Sequence, residues 1–105
     1  MSRGVALIAN ERQRQINEEG YTPAHDEGRV SHLLDAGRAY VQAGHVQYIE
    51  GKPLRMPPYW PWASRYWKPG TNPVRVLVKA GALIAAAIDA LIAAGYSPDG
   101  PKEEQ

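Results

Sequence analysis

The sequence predicts a small, mainly helical domain: three helices, a long Pro/Trp-rich loop and a minor β-hairpin. Three observations predict it. Apolar residues recur at helical spacing near both ends of the chain, glycines close each of those runs, and five prolines crowd into the middle. At 105 residues the chain has room for one domain and one modest core. We assign residues 1–96 to that domain and 97–105 to a flexible C-terminal tail.

The first helix is expected over residues 4–19. Val5, Ile8, Ala9, Ile16 and the stem of Arg12 share one face, and Gly20 ends it. Tyr21–Gly28 (YTPAHDEG) reads as turn chemistry, with a cap or turn role for Asp26. A second helix is expected over Val30–Ala43. Leu33, Leu34, Gly37, Tyr40 and Val41 form its apolar stripe, and Gly44 is its stop. Val46–Glu50 and Leu54–Met56 then pair as the hairpin around Gly51-Lys52-Pro53. Pro57–Trp62 (PPYWPW) forms an ordered loop, because proline removes the backbone donors that regular structure needs. The third helix starts with Asn72 as cap and Pro73 in the first turn, and runs from Val74 to Ala94, closed by Gly95. Its alanines and Gly81 permit close helix approach, within the fold or at a homo-oligomer interface.

Composition excludes several classes. There is no cysteine, so disulfides, thiolate zinc sites and cysteine nucleophiles are out. The N-terminal apolar run is too short for a signal-peptide core. Val74–Ala94 is alanine-rich and interrupted by Arg75, Lys79 and Asp89, which reads as a buried helix and not a membrane span. The expected location is therefore the cytoplasm. No Ser sits in a glycine elbow, and no Gly-rich phosphate loop is present. Neither a cofactor nor a bound metal is expected; His25, His32 and His45 follow no ligand pattern.

The net charge of +1 conceals a polarity. From Lys52 to Lys79 lie six basic residues and no acid, whereas Glu11–Glu27 holds five acids and two bases. The chain has 3 Trp, 6 Tyr and no Phe, and every Trp falls between Trp60 and Trp67. Flat rings stack on bases and guanidinium or ammonium groups take phosphates, so this loop suits a nucleotide-like ligand. The alternative is that the indoles plug the core of a chain without Phe. Candidate ligand-binding residues are Arg55, Tyr59, Trp60, Trp62, Arg65, Trp67, Lys68 and Arg75. The acids Glu18, Glu19, Asp26 and Asp35 define a second reading, a metal-dependent nucleotide phosphohydrolase. Their spacing is poor for it, because Gln15 stands one turn after Glu11 where a second acid is wanted. A third reading makes the aromatic loop a hot spot for a host protein. Nucleic acid is disfavoured, since the acidic half repels phosphates.

The strings ERQRQINEEGYTPAHDEG, WPW, WKP and LVKAGALIAAAID resemble a class of short proteins of tailed phages and prophages, over about residues 10–94. Sequences of that pattern often carry Asp-Asp after the His and Ala-Glu-Ile in the last helix. Here Asp26-Glu27 and Ala87-Ile88 stand instead, which weakens the hydrolase reading. The chain also resembles the RyR domain, the ryanodine-receptor repeat found in bacterial and phage proteins. Ile16–Tyr21, Pro58–Trp62 and Gly95-Tyr96 carry that resemblance, with one extra residue and Tyr for Trp in the first motif and an insertion at 44–57. It implies a ligand-recognition module, not an enzyme, in which Gly20, Tyr21 and the Trp60/Trp62 loop face one pocket. In a phage setting such a module sequesters a host immune signalling nucleotide.

Overall fold

A computed structural model describes residues 1–20, 22–26 and 28–100. Four α-helices account for most of it: α1 (Arg3–Glu19), α2 (Pro23–Asp26), α3 (Val30–Glu50) and α4 (Pro73–Ala93). One 3₁₀ turn, Ser64–Tyr66, interrupts the long connection between α3 and α4.

Each helix end has a local cause. Ser2 caps α1, its Oγ accepting from Val5 N–H at 3.2 Å, and Gly20 closes it in the left-handed conformation at φ 73°. Asn72 caps α4 by accepting from the Val74 and Arg75 amides, with Pro73 at the first helical position. At the far end of α4, Tyr96 N–H reaches Leu91 O and Gly95 N–H reaches Ile92 O, both at 3.0 Å. This paired closure needs the positive φ of Gly95.

Two expectations are corrected here. The second long helix does not stop at Gly44, and no hairpin forms over 46–56. Instead α3 continues to Glu50 and closes at Gly51, φ 69°, whose N–H reaches Gln47 O. The reason is periodic burial. Ala36, Ala39, Tyr40, Ala43, Gly44 and Gln47 keep one helical face against the core, and that stripe outweighs the β-preference of Val46 and Ile49. Gly44 is a contact residue and not a stop. A Cβ there would lie 2.7 Å from Leu77 Cδ2, so an approach of α3 to α4 this close requires glycine at 44 or a displaced Leu77 side chain.

Helix α4 is the centre of the fold. Helices α1, α2 and α3 all pack on it. It runs antiparallel to α3, with Gly44 against Leu77 and Gly37 against Ile84. Buried alanines line both helices: Ala36, Ala39 and Ala43 face Ala80, Ala86 and Ala87 in one cluster with Leu33, Val76 and Leu83. Helix α1 crosses at Gly81, where an added Cβ would sit 2.6 Å from Ile8 Cδ1. The close approach expected from Gly81 is thus made inside the fold. Arg12 ties α1 to α4, its Nε and Nη2 both donating to Asp89 Oδ2.

By length and mean hydropathy alone α4 could cross a membrane, yet it also meets three neighbouring helices in the fold. Several of its side chains remain exposed, among them Val74, Leu77, Ile84, Ile88 and Ile92. Of the expected tail, Ser97–Gly100 forms a tight turn closed between its end residues; residues 101–105 lie outside the described residues.

Candidate functional site: an aromatic and cationic cavity

The long connection folds back over the α3–α4 core and splits its aromatic residues between packing and cavity wall. Pro57 is buried and its carbonyl accepts from Trp60 N–H, making the turn that drives the Trp60 ring inward. Trp60 is only 8% exposed. It meets Tyr40 edge-on at 5.4 Å and Trp67 at 4.9 Å, while Trp67 stacks on Tyr40 at 5.1 Å. The indole N–H of Trp60 donates to Ala63 O and that of Trp67 to Leu54 O. Gln47 pins the far end of the loop by donating to Pro69 O and Gly70 O, both at 2.8 Å. Trp62 is half-buried and packs edge-on against Trp60 at 5.3 Å.

Beside this aromatic cluster lies a cavity of about 750 Å³. That is within the usual range for a small-molecule site. Trp60, Trp62 and Tyr66 supply rings, Lys68 and Lys79 supply ammonium groups, and Arg29 adds a guanidinium. Among the described residues neither Lys68 nor Lys79 has a carboxylate partner. Lys79 donates to Lys68 O at 3.3 Å and lies over the Tyr40 ring. Burial, and then the positive charge of Arg75, push the Lys79 ammonium below its ordinary pKa. Burial likewise pushes the Tyr40 phenol up.

The acids on the cavity wall are differently engaged. Glu11 has a side chain 1% exposed, held by Arg14 at 2.7 Å and Arg75 at 2.6 Å. Burial raises its pKa, but the hydrogen bonds and charges of the two arginines outweigh burial and hold the carboxyl below its usual value. Arg14 also reaches Glu19 at 3.1 Å, and its own pKa is raised, first by the Glu11 hydrogen bond.

Asp26 departs from its expected cap or turn role. The cap of α2 is Thr22, whose Oγ1 accepts from His25 N–H. The Asp26 side chain is instead turned in, and the residue is 1% exposed. Its Oδ1 lies 2.8 Å from His25 Nδ1, and Arg29 Nη1 lies 3.2 Å from His25 Nε2. A guanidinium only donates, so Nε2 is the bare nitrogen and Nδ1 carries the proton that Asp26 Oδ1 accepts. The other oxygen, Oδ2, has no hydrogen-bond partner among the described residues, and neither has Gln15 Oε1; both residues line the cavity, although these two oxygens themselves are shut off from it.

The sequence candidates are therefore only partly brought together. Trp60, Trp62 and Lys68 line the cavity. Trp67 is off the cavity wall, partly buried and packed against the core. Arg75 is near but engaged with Glu11. Tyr59 faces a second, more open groove, under the Arg38 guanidinium and hydrogen-bonded to Gln42. Arg55 and Arg65 are exposed and off the cavity, Arg65 lying over the Tyr66 ring. Tyr21 lies outside the described residues. Residues the sequence reading missed are Gln15, His25, Arg29, Tyr40 and Lys79. A signal existed for Gln15: the face of α1 that starts with Ile8 continues through Glu11, Arg12 and Gln15, so its polar residues are core-facing by spacing.

The metal-hydrolase acids do not assemble. Among the described residues no three His, Asp or Glu side chains are grouped to hold a metal ion. Glu18 and Asp35 are off the cavity wall.

Comparison with family models, with curated proteins and with solved structures gives no match to this chain.

Proposed function

We propose that this protein is a non-catalytic binding module for a small anionic ligand with a flat ring, a nucleotide or a nucleotide-derived signal. The observation that carries this is the 750 Å³ cavity in which Trp60, Trp62 and Tyr66 share a wall with Lys68 and Lys79. Rings of this kind accept a base face, and ammonium groups without a carboxylate partner accept phosphate. The depressed Lys79 pKa supports the anionic part, because a partly buried cation beside another cation gains when an anion arrives. The binding set is then Trp60, Trp62, Tyr66, Lys68, Lys79 and Arg29, with Arg55, Arg65 and Arg75 left outside it. Titration with a panel of nucleotides and cyclic dinucleotides tests the proposal, followed by tryptophan fluorescence and thermal unfolding. A ligand at about 100 times its Kd adds about 2.7 kcal/mol of stability and a clear rise in Tm.

The resemblance to phage proteins extends the proposal to sequestration of a host signalling nucleotide in the host cytoplasm. The host-protein reading is less well supported, since Trp60 is buried and Trp67 is partly buried against the core, which leaves the half-buried Trp62 without a cluster of exposed indoles around it. We also propose homo-oligomer formation through α4. The exposed Leu77, Ile84 and Ile88 beside Leu34 and Val41 of α3 support it. Ile84→Glu, with the mass in solution measured by light scattering, tests it.

A further inference from the structure

Lys79 carries its amine where a charge is poorly served. It lines the cavity one helical turn before Leu83, and its Nζ lies 5.8 Å from the centre of the Tyr40 ring. The two acids whose charge reaches it, Glu11 and Glu19, are engaged elsewhere: Glu11 by Arg14 and Arg75, and Glu19 by Arg14. Among the described residues Lys79 has no carboxylate partner of its own, and Nζ donates instead to Lys68 O at 3.3 Å. That hydrogen bond is exposed, so the nitrogen is within reach of a molecule in the cavity.

The surroundings favour an uncharged amine. Tyr40, Leu33 and Leu83 make the adjoining wall apolar, and Arg75 on α4 and Arg14 on α1 add positive charge. Burial, and then the charge of Arg75, disfavours the ammonium. A neutral amine can keep one N–H on the Lys68 carbonyl and still present its lone pair. A lysine set among apolar groups and beside another cation is the usual form of an amine nucleophile.

Resting on the proposed function, we infer that Lys79 is a covalent capture residue: its amine condenses with the carbonyl of a ring-bearing, anionic aldehyde or ketone held in the cavity. The nitrogen lone pair adds to the carbonyl carbon, and the C=O π pair moves to oxygen. Proton transfer from nitrogen to oxygen gives a carbinolamine, and loss of water leaves a C=N bond. Hydrolysis reverses the step, and neither an oxidant nor a reductant is needed. Trp60, Trp62 and Tyr66 hold the ring, while Lys68 and Arg29 hold the anionic group. Capture returns the ligand unchanged, so it extends a binding module without making it an enzyme. A ligand without an aldehyde or ketone meets Lys79 as a cation only.

The test uses the full chain and pyridoxal 5′-phosphate, which joins an aldehyde, a flat ring and a phosphate. The imine formed near neutral pH is fixed with borohydride, and the modified lysine is identified by peptide mass spectrometry. Lys52, Lys68 and Lys102 are internal controls on the same chain. At limiting probe, labelling of Lys79 is expected to exceed that of each other lysine by at least about tenfold. It should fall by about tenfold or more with pyridoxal, which lacks the phosphate. Excess adenosine, guanosine or cytidine 5′-monophosphate should block it. The probes act on the unaltered protein, so no variant has to fold. Even labelling of the four lysines, labelling led by another lysine, or equal labelling of Lys79 by pyridoxal overturns the inference. The proposed function then stands if titration shows a nucleotide bound, and falls with it if none is bound. Labelling led by Lys79 that no nucleotide blocks upholds the capture residue and overturns the nucleotide reading of the cavity.

Discussion

Arg75 of α4 donates to Glu11 of α1 at 2.6 Å, and Arg14 takes the other Glu11 oxygen at 2.7 Å. This clamp joins the acidic first half of the chain to the basic second half. It also removes Arg75 and Arg14 from the set of cations available to a ligand. The charge polarity seen along the sequence is thus partly a fold-building device, and the anion site falls to Lys68, Lys79 and Arg29.

Breaking the clamp should cost stability. Glu11→Ala is expected to destabilise by about 1–3 kcal/mol in urea unfolding, because both arginines are partly exposed and can be resolvated. The folded-state pKa of Glu11 lies below its ordinary 4.5. Its contribution is therefore complete above pH 4.5 and is lost as pH falls through the lower folded value. The acid limb of the stability profile should be shallower in Glu11→Gln than in the unaltered protein.

Gly44 should resist even alanine. Alanine gains about 1 kcal/mol of helix propensity over glycine, yet its Cβ would meet Leu77 Cδ2 and Cγ at 2.7 and 2.8 Å. Gly44→Ala is expected to lose about 1–3 kcal/mol net. Adding Leu77→Ala should recover part of the loss, a non-additivity that a double-mutant cycle measures.

The two cavity indoles should separate in behaviour. Trp60→Ala removes a buried ring touching Tyr40, Trp62 and Trp67, and is expected to cost about 3–5 kcal/mol. Trp62→Ala removes a half-buried ring from the cavity wall and is expected to cost under about 2 kcal/mol. Thermal melts of the two variants check this difference directly.

Lys79 and Arg65 should also separate. The lowered Lys79 pKa means that its charged form is disfavoured by folding, so stability rises with pH as the solution passes from the folded value toward 10.5. Lys79→Met should keep stability or raise it by up to about 1 kcal/mol while weakening anion affinity. Arg65→Ala, off the cavity, should leave affinity unchanged. Equilibrium titration with a bound nucleotide distinguishes them.

The readable parts of the sequence were those with local causes. Asn72-Pro73, Gly20 and Gly95 mark helix ends because caps and positive φ are set within a few residues. Gly44 misled because a glycine serves equally as a stop or as a contact, and only the position of Leu77 decides. The aromatic loop was legible as a group, but not which way each ring faces: the Pro57 turn sends Trp60 into the core, and Trp67 follows by stacking on Tyr40. Asp26 reads as a cap or turn residue from the turn chemistry of Tyr21–Gly28, but the cap falls to Thr22, three residues before His25, and that choice is not visible in the composition of the turn. Which cations remain for a ligand also depends on long-range pairing, since Arg75 and Glu11 are 64 residues apart.

The most direct measurement is retention and fate. The purified protein is incubated with nucleotides, cyclic dinucleotides and nicotinamide-derived cyclic signals, freed of unbound compound, denatured, and the released material is identified by mass spectrometry. Trp62→Ala is carried in parallel. The account requires one compound retained and returned intact by the unaltered protein and lost from a folded Trp62→Ala. A compound returned chemically altered, equal retention by Trp62→Ala, or no retention at all would contradict it.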